Sequence, residues 1–234
     1  MRFNRQQVNK DYTALKERST NMDLDSLNNH YCSNPELLND AYAIRYQAYL
    51  QQGYIEANTQ QRLEDEFDSM PNNHTFVLKC NQRSIASLRV SVIKQQPGWL
   101  DIPVKRLFPE VFTELENKYD TLMELNRLTV LPEITDFSAT VPLALFANPM
   151  HLTELSGKTL VICAARKNHK RFYERLGFRK ITDYKRYPTL KFDTAMFVSE
   201  WDPDKDRLGQ YPLKAHYSQL KPVLSDTELA QMFR

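Results

Sequence analysis

The segment from residue 160 to residue 178 changes its periodicity twice, which limits the architectures open to the chain. Residues 160–164 form an apolar run that is too short for a helix and predicts a buried strand. From Ala165 onward, aromatic and apolar side chains fall on one side of a predicted helix, opposite arginines and lysines. Gly177 supplies the left-handed residue that ends such a helix, and Phe178 begins another strand. This order predicts a mixed α/β fold.

The rest of the chain carries further helix and strand patterns. Asn34 is a preferred helix N-cap, and Pro35 suits the first helical position. Two alternating segments flank a turn at residues 81–83 and therefore predict an antiparallel hairpin. The predicted order is a strand at 29–32, a helix from Pro35 through Tyr49, strands at 74–79 and 85–93, a helix at 103–119, a strand at 122–131, a helix at 138–155 broken at Pro149, and strands at 178–184 and 191–201.

These elements predict a single domain over residues 29–201, with a central mixed sheet flanked by helices. Residues 1–28 are polar and are expected to form an N-terminal arm. Residues 202–234 are expected to form a C-terminal extension that packs on the domain.

The charge is small overall but unevenly distributed. A formal net charge of +2 argues against a dedicated nucleic-acid-binding protein, since such proteins carry a strong basic excess. Between Arg166 and Arg186, however, nine basic residues face only two acidic ones. This local excess favours an acidic partner or a phosphate group, and the alternative is a solvated helix face.

Cysteine, glycine and hydropathy patterns limit the class of protein further. Cys32, Cys80 and Cys163 are odd in number and lack metal-ligand spacing, which is typical of a reducing compartment and predicts no metal site. The five glycines form no phosphate loop or dinucleotide fingerprint. No apolar signal core or stretch of membrane-spanning length occurs, so we expect a soluble, cytoplasmic protein without a stable membrane span.

An arginine lies on an apolar face of the first predicted helix. Arg45 shares its stripe with Leu38, Tyr42 and Tyr49. An unpaired buried charge is very costly, so Arg45 requires a carboxylate partner. The acidic segment at residues 61–68 follows directly and could supply one.

Five short motifs occur in an order that resembles a known enzyme family. They are Ile44–Tyr49 with its arginine, Asp65-Glu66-Phe67-Asp68, Ser87-Leu88-Arg89-Val90, Glu124-Leu125-Asn126-Arg127-Leu128-Thr129-Val130, and His169 with Phe172-Tyr173 and Gly177-Phe178. The set resembles the FeeM-type N-acyl amino acid synthases, which are related to acyl-homoserine-lactone synthases. Both belong to the GCN5-related N-acyltransferase (GNAT) superfamily. The resemblance implies a GNAT-like fold and transfer of a fatty acyl group to the amino group of an amino acid.

The resemblance also implies roles for individual residues. Glu124 would be the general base, and Tyr173 would protonate the leaving thiolate; the alternative for Tyr173 is an ordinary core tyrosine. A backbone N–H near Leu128, Thr129 or Val130 would bind the oxyanion. The acceptor site would be shaped by Arg45, Asp65, Asp68, Arg89 and Arg127, with Glu124 and the two aspartates as counter-ions. The alternative is a purely structural ion network.

Two departures from the related families bear on the substrates. The aromatic residue that follows the first helix in lactone synthases is missing, with Tyr54 the nearest candidate, which argues against an S-adenosylmethionine site. The segment at 132–138, where acetyltransferases bind the CoA pyrophosphate, has no glycine and contains Glu133 and Asp136. This second departure favours a donor on acyl carrier protein, docked by Arg166, Lys167, His169, Lys170 and Arg171.

No cofactor is expected to be bound permanently, and acyl-phosphopantetheine or acyl-CoA would serve as the donor. Three alternatives remain open from the sequence. They are an acyl-homoserine-lactone synthase that consumes S-adenosylmethionine, an ordinary acyl-CoA-dependent acyltransferase, and a non-catalytic module that senses acyl carriers.

Overall fold

The structure is a computed structural model that describes residues 27–94, 100–134, 140–156 and 159–201. The predicted arm therefore lies outside the described residues except for its last two, which begin the first strand. The predicted C-terminal extension at 202–234 also lies outside them.

The described chain alternates short strands and helices. The strands are β1 (Leu27–Tyr31), β2 (Asn73–Cys80), β3 (Arg83–Lys94), β4 (Thr121–Val130), β5 (Thr159–Arg166), β6 (Arg179–Lys180), β7 (Lys185–Arg186) and β8 (Asp193–Trp201). The helices are α1 (Pro35–Gln51), α2 (Pro103–Leu107), α3 (Pro109–Lys118), α4 (Thr140–Ser156) and α5 (Lys170–Arg175), with 3₁₀ turns at Glu66–Ser69 and Lys167–His169. This order confirms the predicted mixed α/β fold.

All the described strands belong to one sheet in the order β1-β2-β3-β4-β5-β8-β6, with β7 paired to β8. Only β4 and β5 run parallel, and they pair over just three positions, ending at Glu124 and Ile162. Beyond that point β4 continues to Val130 beside β3, while β5 continues to Arg166 beside β8. The sheet therefore opens into a gap directly after Glu124.

Helices cover both faces of the sheet. On one face, Val104, Phe108 and Phe112 from α2 and α3 pack in a core cluster with Leu122 and Ile162 of the sheet. On the other face, buried side chains of α4 and α5 pack against Met123, Leu125, Cys163 and Phe197. Helix α1 lies over β2, β3 and β4 and reaches Thr75 of β2 through Arg45.

Local signals set most element ends. The Asn34 side chain caps α1 by accepting a hydrogen bond from the Leu37 N–H at 3.0 Å, as predicted. Asn81 and Gln82 both have positive φ, which makes the predicted turn a two-residue hairpin loop. Gly177 has φ of 82° just after α5, as its predicted role as a helix terminator requires.

Four predicted helices or strands differ from the structure in their extent. The helix at 103–119 is two helices, because Pro109 disfavours a helical backbone at Phe108. Helix α4 continues through Pro149. Packing of the buried side chains on both sides of Pro149 stabilises the helix by more than the loss of one backbone hydrogen bond costs.

The other two errors concern the ends of strands. Ala165 and Arg166 belong to β5 rather than to a helix, because they pair with Ala195 and Thr194 of β8. The strand predicted at 178–184 is reduced to the two residues of β6.

Candidate active site

A bulge in β4 brings two consecutive side chains to the same face of the sheet. Arg89 pairs with Asn126 and Ser87 pairs with Thr129, so β4 has one more residue than β3 between these positions. Arg127 occupies the extra position with φ of 52°, a left-handed conformation that is uncommon outside glycine. As a result Asn126 and Arg127 both contact groups on the side of Arg89, which simple alternation would forbid.

A capped 3₁₀ turn supplies the carboxylates that face these arginines. The Asp65 carboxylate accepts a hydrogen bond from the Phe67 N–H at 3.0 Å, and the Asp68 carboxylate accepts one from the Asp65 N–H at 2.9 Å. This reciprocal capping box fixes the orientation of both side chains independently of the arginines.

Three guanidinium groups converge on the two aspartates. Arg89 donates to both Asp65 oxygens, at 2.6 and 3.2 Å, and lies 2.9 Å from Asp68. Arg127 donates its Nε–H to Asp65 at 3.1 Å, and Arg45 donates to Asp68 at 2.7 Å. The sequence-based expectation that Asp65 and Asp68 would neutralise these arginines is confirmed.

Electrostatics holds Asp65 in its charged form. Burial alone would raise the pKa of Asp65, but hydrogen bonds and charge from Arg89 and Arg127 hold that pKa well below its usual range. Asn126 extends the network, since it accepts from Arg89 at 2.6 Å and donates to Ser91 at 2.9 Å. Asp65 is therefore held between Arg89 and Arg127, and Asn126 links Arg89 to Ser91.

Glu124 lies outside this ion network, which corrects its predicted role as a counter-ion. Its carboxylate accepts a hydrogen bond from the Val104 N–H of α2 at 3.2 Å, and it forms no ion pair with the other described residues. Burial is the main influence and raises the pKa of Glu124 to about 7, although the charges of Arg89 and Arg127 oppose it. A carboxyl group with this pKa can accept a proton at neutral pH.

Tyr173 is buried on the opposite face of the sheet. Its ring contacts Phe172, Phe178 and Phe197, with centroids 5.2–6.1 Å away. Burial raises the pKa of Tyr173 well above its usual value, so the phenol stays protonated at neutral pH. The packing expected of a core tyrosine is present, and a proton donor is present as well.

Glu124 and Tyr173 do not touch each other among the described contacts, and they lie on opposite faces of the sheet. Glu124 ends the parallel pairing between β4 and β5, and Cys163 of β5 follows the last paired position. Cys163 belongs to the same core cluster as Tyr173. The sheet therefore separates a buried carboxyl group on one face from a buried phenol on the other.

The other predicted residues of β4 divide between the two faces. Thr129 is buried, with its hydroxyl 2.8 Å from that of Ser87. Leu128 and Val130 are half-buried and pack against the core cluster that contains Tyr173. The bulge leaves this segment with a locally disrupted ladder, which is where the oxyanion-binding N–H was expected.

The predicted docking residues separate into two environments. Lys167, His169 and Arg171 are exposed, and Lys170 pairs only with Glu174, one helical turn away at 3.5 Å. Arg166 is different, because its guanidinium group lies against the Tyr54 and Phe192 rings of an aromatic cluster.

Sequence reasoning missed half of this aromatic cluster. It consists of Tyr49, Tyr54, Tyr187 and Phe192. Tyr49 and Tyr54 border α1 and had been noted as single residues, but Tyr187 and Phe192 lie on the loop before β8 and gave no sequence signal. The Lys191 N–H donates to the Tyr54 carbonyl at 3.1 Å and fastens the two segments together.

Comparison with known proteins identifies the family. A sequence model described as N-acyl amino acid synthase FeeM matches residues 40–199, a range that includes every candidate site residue named above. The chain belongs to the FeeM family of N-acyl amino acid synthases. This FeeM-family protein is therefore an acyltransferase that uses an acyl donor as substrate, and not a non-catalytic module.

Solved structures agree with the fold of this FeeM-family protein. FeeM itself, an N-acyl amino acid synthase from uncultured soil microbes, superposes with a TM-score of 0.63 at 18% identity, covering 81% of this chain and 97% of that one. The CoA-dependent acyl-homoserine lactone synthase MesI gives 0.56 at 15% identity, covering 86% and 99%. A putative N-acetyltransferase from Lactobacillus plantarum gives 0.52 at 14%, covering 75% and 98%.

These three structural matches support the GNAT-like fold predicted from the sequence. The comparison with curated sequences gave no significant match. None of the described helices has the length and apolar character needed to cross a membrane.

Proposed function

We propose that this protein transfers a fatty acyl group from acyl carrier protein to the amino group of an amino acid. The observation that carries the proposal is the gap after Glu124 and Ile162, together with a buried carboxyl group, Glu124, on one face of the sheet and a buried phenol, Tyr173, on the other. Membership of the FeeM family supports the amino-acid acceptor.

The residues suggest a simple sequence of proton transfers. The acceptor nitrogen attacks the thioester carbonyl carbon, and Glu124 takes the proton that this nitrogen loses, directly or through a water. The carbonyl oxygen becomes an oxyanion, which accepts a hydrogen bond from a backbone N–H near Leu128, Thr129 or Val130. The tetrahedral intermediate then collapses, the carbon–sulfur bond breaks, and Tyr173 donates its proton to the leaving thiolate.

The donor proposal rests on charge around the end of β4. Glu133, in the segment where acetyltransferases bind the CoA pyrophosphate, forms an ion pair with Arg83, so this arginine is already occupied by a carboxylate. A carrier-bound phosphopantetheine arm has no pyrophosphate and needs no such site. Lys167, Lys170 and Arg171 form a basic surface for the acidic carrier, and His169 beside them is neutral at pH 7, since partial burial and the charge of Arg166 lower its pKa to about 4.

We further propose that the protein acts in the cytoplasm. Cys32, Cys80 and Cys163 are all free and buried, and they form no disulfide with each other. Unpaired thiols are typical of a reducing compartment.

The test is product identification with purified protein. Acyl-loaded carrier protein or acyl-CoA is incubated with the twenty amino acids, or with S-adenosylmethionine, and products are identified by mass spectrometry. We expect a long-chain N-acyl amino acid with the carrier-bound donor and far less of it with the Glu124→Gln variant. A lactone product, or turnover with acyl-CoA alone, would contradict the proposal. Lipid extracts of overproducing cells provide the same readout in vivo.

A further inference from the structure

We propose that Arg166 binds the carboxylate of the amino-acid acceptor, beside the aromatic cluster of Tyr49, Tyr54, Tyr187 and Phe192. The inference rests on the proposed function and assigns the acceptor subsite within it. It gives Arg166 a role separate from the exposed basic residues of α5.

The surroundings of Arg166 are those of a binding group. Its guanidinium carbon lies 4.6 Å from the Tyr54 ring centroid and 5.3 Å from that of Phe192, and the group donates to the Tyr54 hydroxyl. The second terminal nitrogen lies 3.0 Å from His169 Nε2, which must act as the acceptor because guanidinium only donates. Two of its five N–H donors are thus used, and neither partner is a carboxylate.

Arg166 differs in this respect from the other arginines near the gap. Arg45, Arg89 and Arg127 all have Asp65 or Asp68 as a partner, and these carboxylates already orient them. Arg166 forms no ion pair with any residue in the described parts of the chain. A half-buried cation without a counter-ion attracts an anionic ligand, and a planar guanidinium group suits a carboxylate in particular.

Strand register places Arg166 on the face of the sheet that carries Glu124. Glu124 pairs with Ile162, and Ile162, Ala164 and Arg166 alternate onto the same side of β5. Arg166 lies four residues further along the strand, roughly 13 Å from Ile162 at about 3.3 Å per residue. Because the amine of an α-amino acid lies close to its carboxylate, an acceptor held at Arg166 would pass its proton to Glu124, on the same face, through intervening water.

The position also explains which segments would contact the acceptor. Tyr49 and Tyr54 come from the end of α1, whereas Tyr187 and Phe192 come from the loop before β8. Arg127 lies 5.8 Å from the Tyr49 ring centroid and 5.7 Å from that of Tyr187, so the cluster extends from Arg166 to the ion network. The acceptor side chain would rest on these rings.

The test compares an amino acid with its own carboxamide, which lacks the carboxylate charge. The acceptor is the amino acid that the wild-type protein acylates best, and the variants are Arg166→Gln and Arg166→Lys. Arg179→Gln is the matched control, since Arg179 is exposed on β6 and has no role in the site. Steady-state KM and kcat are measured for both acceptors and for the acyl donor.

We expect Arg166→Gln to raise the KM for the amino acid about 10- to 100-fold, the usual loss for a charge-assisted hydrogen bond. The KM for the carboxamide and for the donor should stay within about twofold, and Arg166→Lys should recover part of the loss. A purely structural role would instead change both acceptors equally.

Two outcomes would overturn the assignment, and they are distinguishable. If Arg166→Gln retains the wild-type preference for the amino acid over the carboxamide, the carboxylate does not bind Arg166, while the proposed function stands. If the wild-type protein neither acylates an amino acid nor binds one in calorimetry, the proposed function fails and the Arg166 assignment fails with it.

Discussion

Glu124 is held where its neutral form is stabilised, and this has consequences for both activity and stability. A general base works only when deprotonated, so kcat/KM should rise as pH increases through about 7, the value to which burial raises the pKa of Glu124. Glu124→Gln should lower kcat by about 10²- to 10⁴-fold and remove this pH dependence. A pH profile of kcat/KM for both proteins measures the effect; an unchanged profile in the variant would exclude Glu124 as the base.

The raised pKa of Glu124 also predicts that Glu124→Gln is more stable than the wild-type protein at high pH. The folded-state pKa of Glu124 lies above the unfolded value near 4.5, so its contribution is fully present below pH 4.5 and is lost as pH rises through about 7. At pH 8 the wild-type protein should therefore be less stable than Glu124→Gln by up to about 3 kcal/mol. Urea unfolding at pH 4 and pH 8 provides the comparison, with the difference expected only at the higher pH.

Tyr173 combines a packed ring with a proton that burial retains. Tyr173→Phe keeps the contacts with Phe172, Phe178 and Phe197 and removes only the hydroxyl group. We expect kcat to fall about 10²-fold, the low end for general acid catalysis, with thermal stability nearly unchanged. Tyr119→Phe, on the α3 side of the molecule, is the control. Full activity of Tyr173→Phe would show that Tyr173 is a core residue without a catalytic role.

At the scale of elements, the 3₁₀ turn at Glu66–Ser69 is fastened to the sheet by its N-cap residue. Asp65→Asn should destabilise the protein by about 3–5 kcal/mol at pH 7, because Arg89 and Arg127 would be left without their main counter-ion. The Asp65 pKa is depressed in the folded state, so its contribution is present above the unfolded value of 3.8 and is lost as pH falls below it.

Denaturant unfolding at pH 7 and pH 3 measures this effect. The gap between Asp65→Asn and wild type should shrink at the lower pH. Glu66→Gln serves as the control, since this neighbouring carboxylate is exposed and pairs only with the surface residue Arg106. Equal effects of the two variants would show that the buried network does not hold the turn.

At the scale of the whole molecule, the small net charge conceals a local basic surface. The chain is almost neutral, yet α5 and the turn before it expose Lys167, His169, Lys170 and Arg171. Replacing Lys170 and Arg171 with glutamate should raise the KM for acylated carrier protein, and added salt should shrink the difference because it screens exposed charges.

A short acyl-pantetheine thioester provides the control for this docking prediction. It lacks the acidic carrier, so the double variant should use it as well as the wild-type protein does. Equal loss with both donors would mean that the substitutions damaged the site and not the docking surface.

The sequence by itself predicted the order of elements, because helix caps, turn residues and apolar periodicity are local. Asn34, the turn at Asn81 and Gln82, and Gly177 act through their own backbone and neighbours. The pairing of Arg45 with a nearby aspartate also followed, since a buried charge without a partner is too costly to exist.

Only the tertiary structure decided how these groups face one another. The bulge that turns Arg127, the burial of Glu124 under α2 and the placement of Arg166 among aromatic rings depend on strand register and on packing between distant segments. Tyr187 and Phe192 entered the site for the same reason. Sequence periodicity determines which side chains an element can bury, but the neighbour each one meets depends on contacts formed by the whole fold.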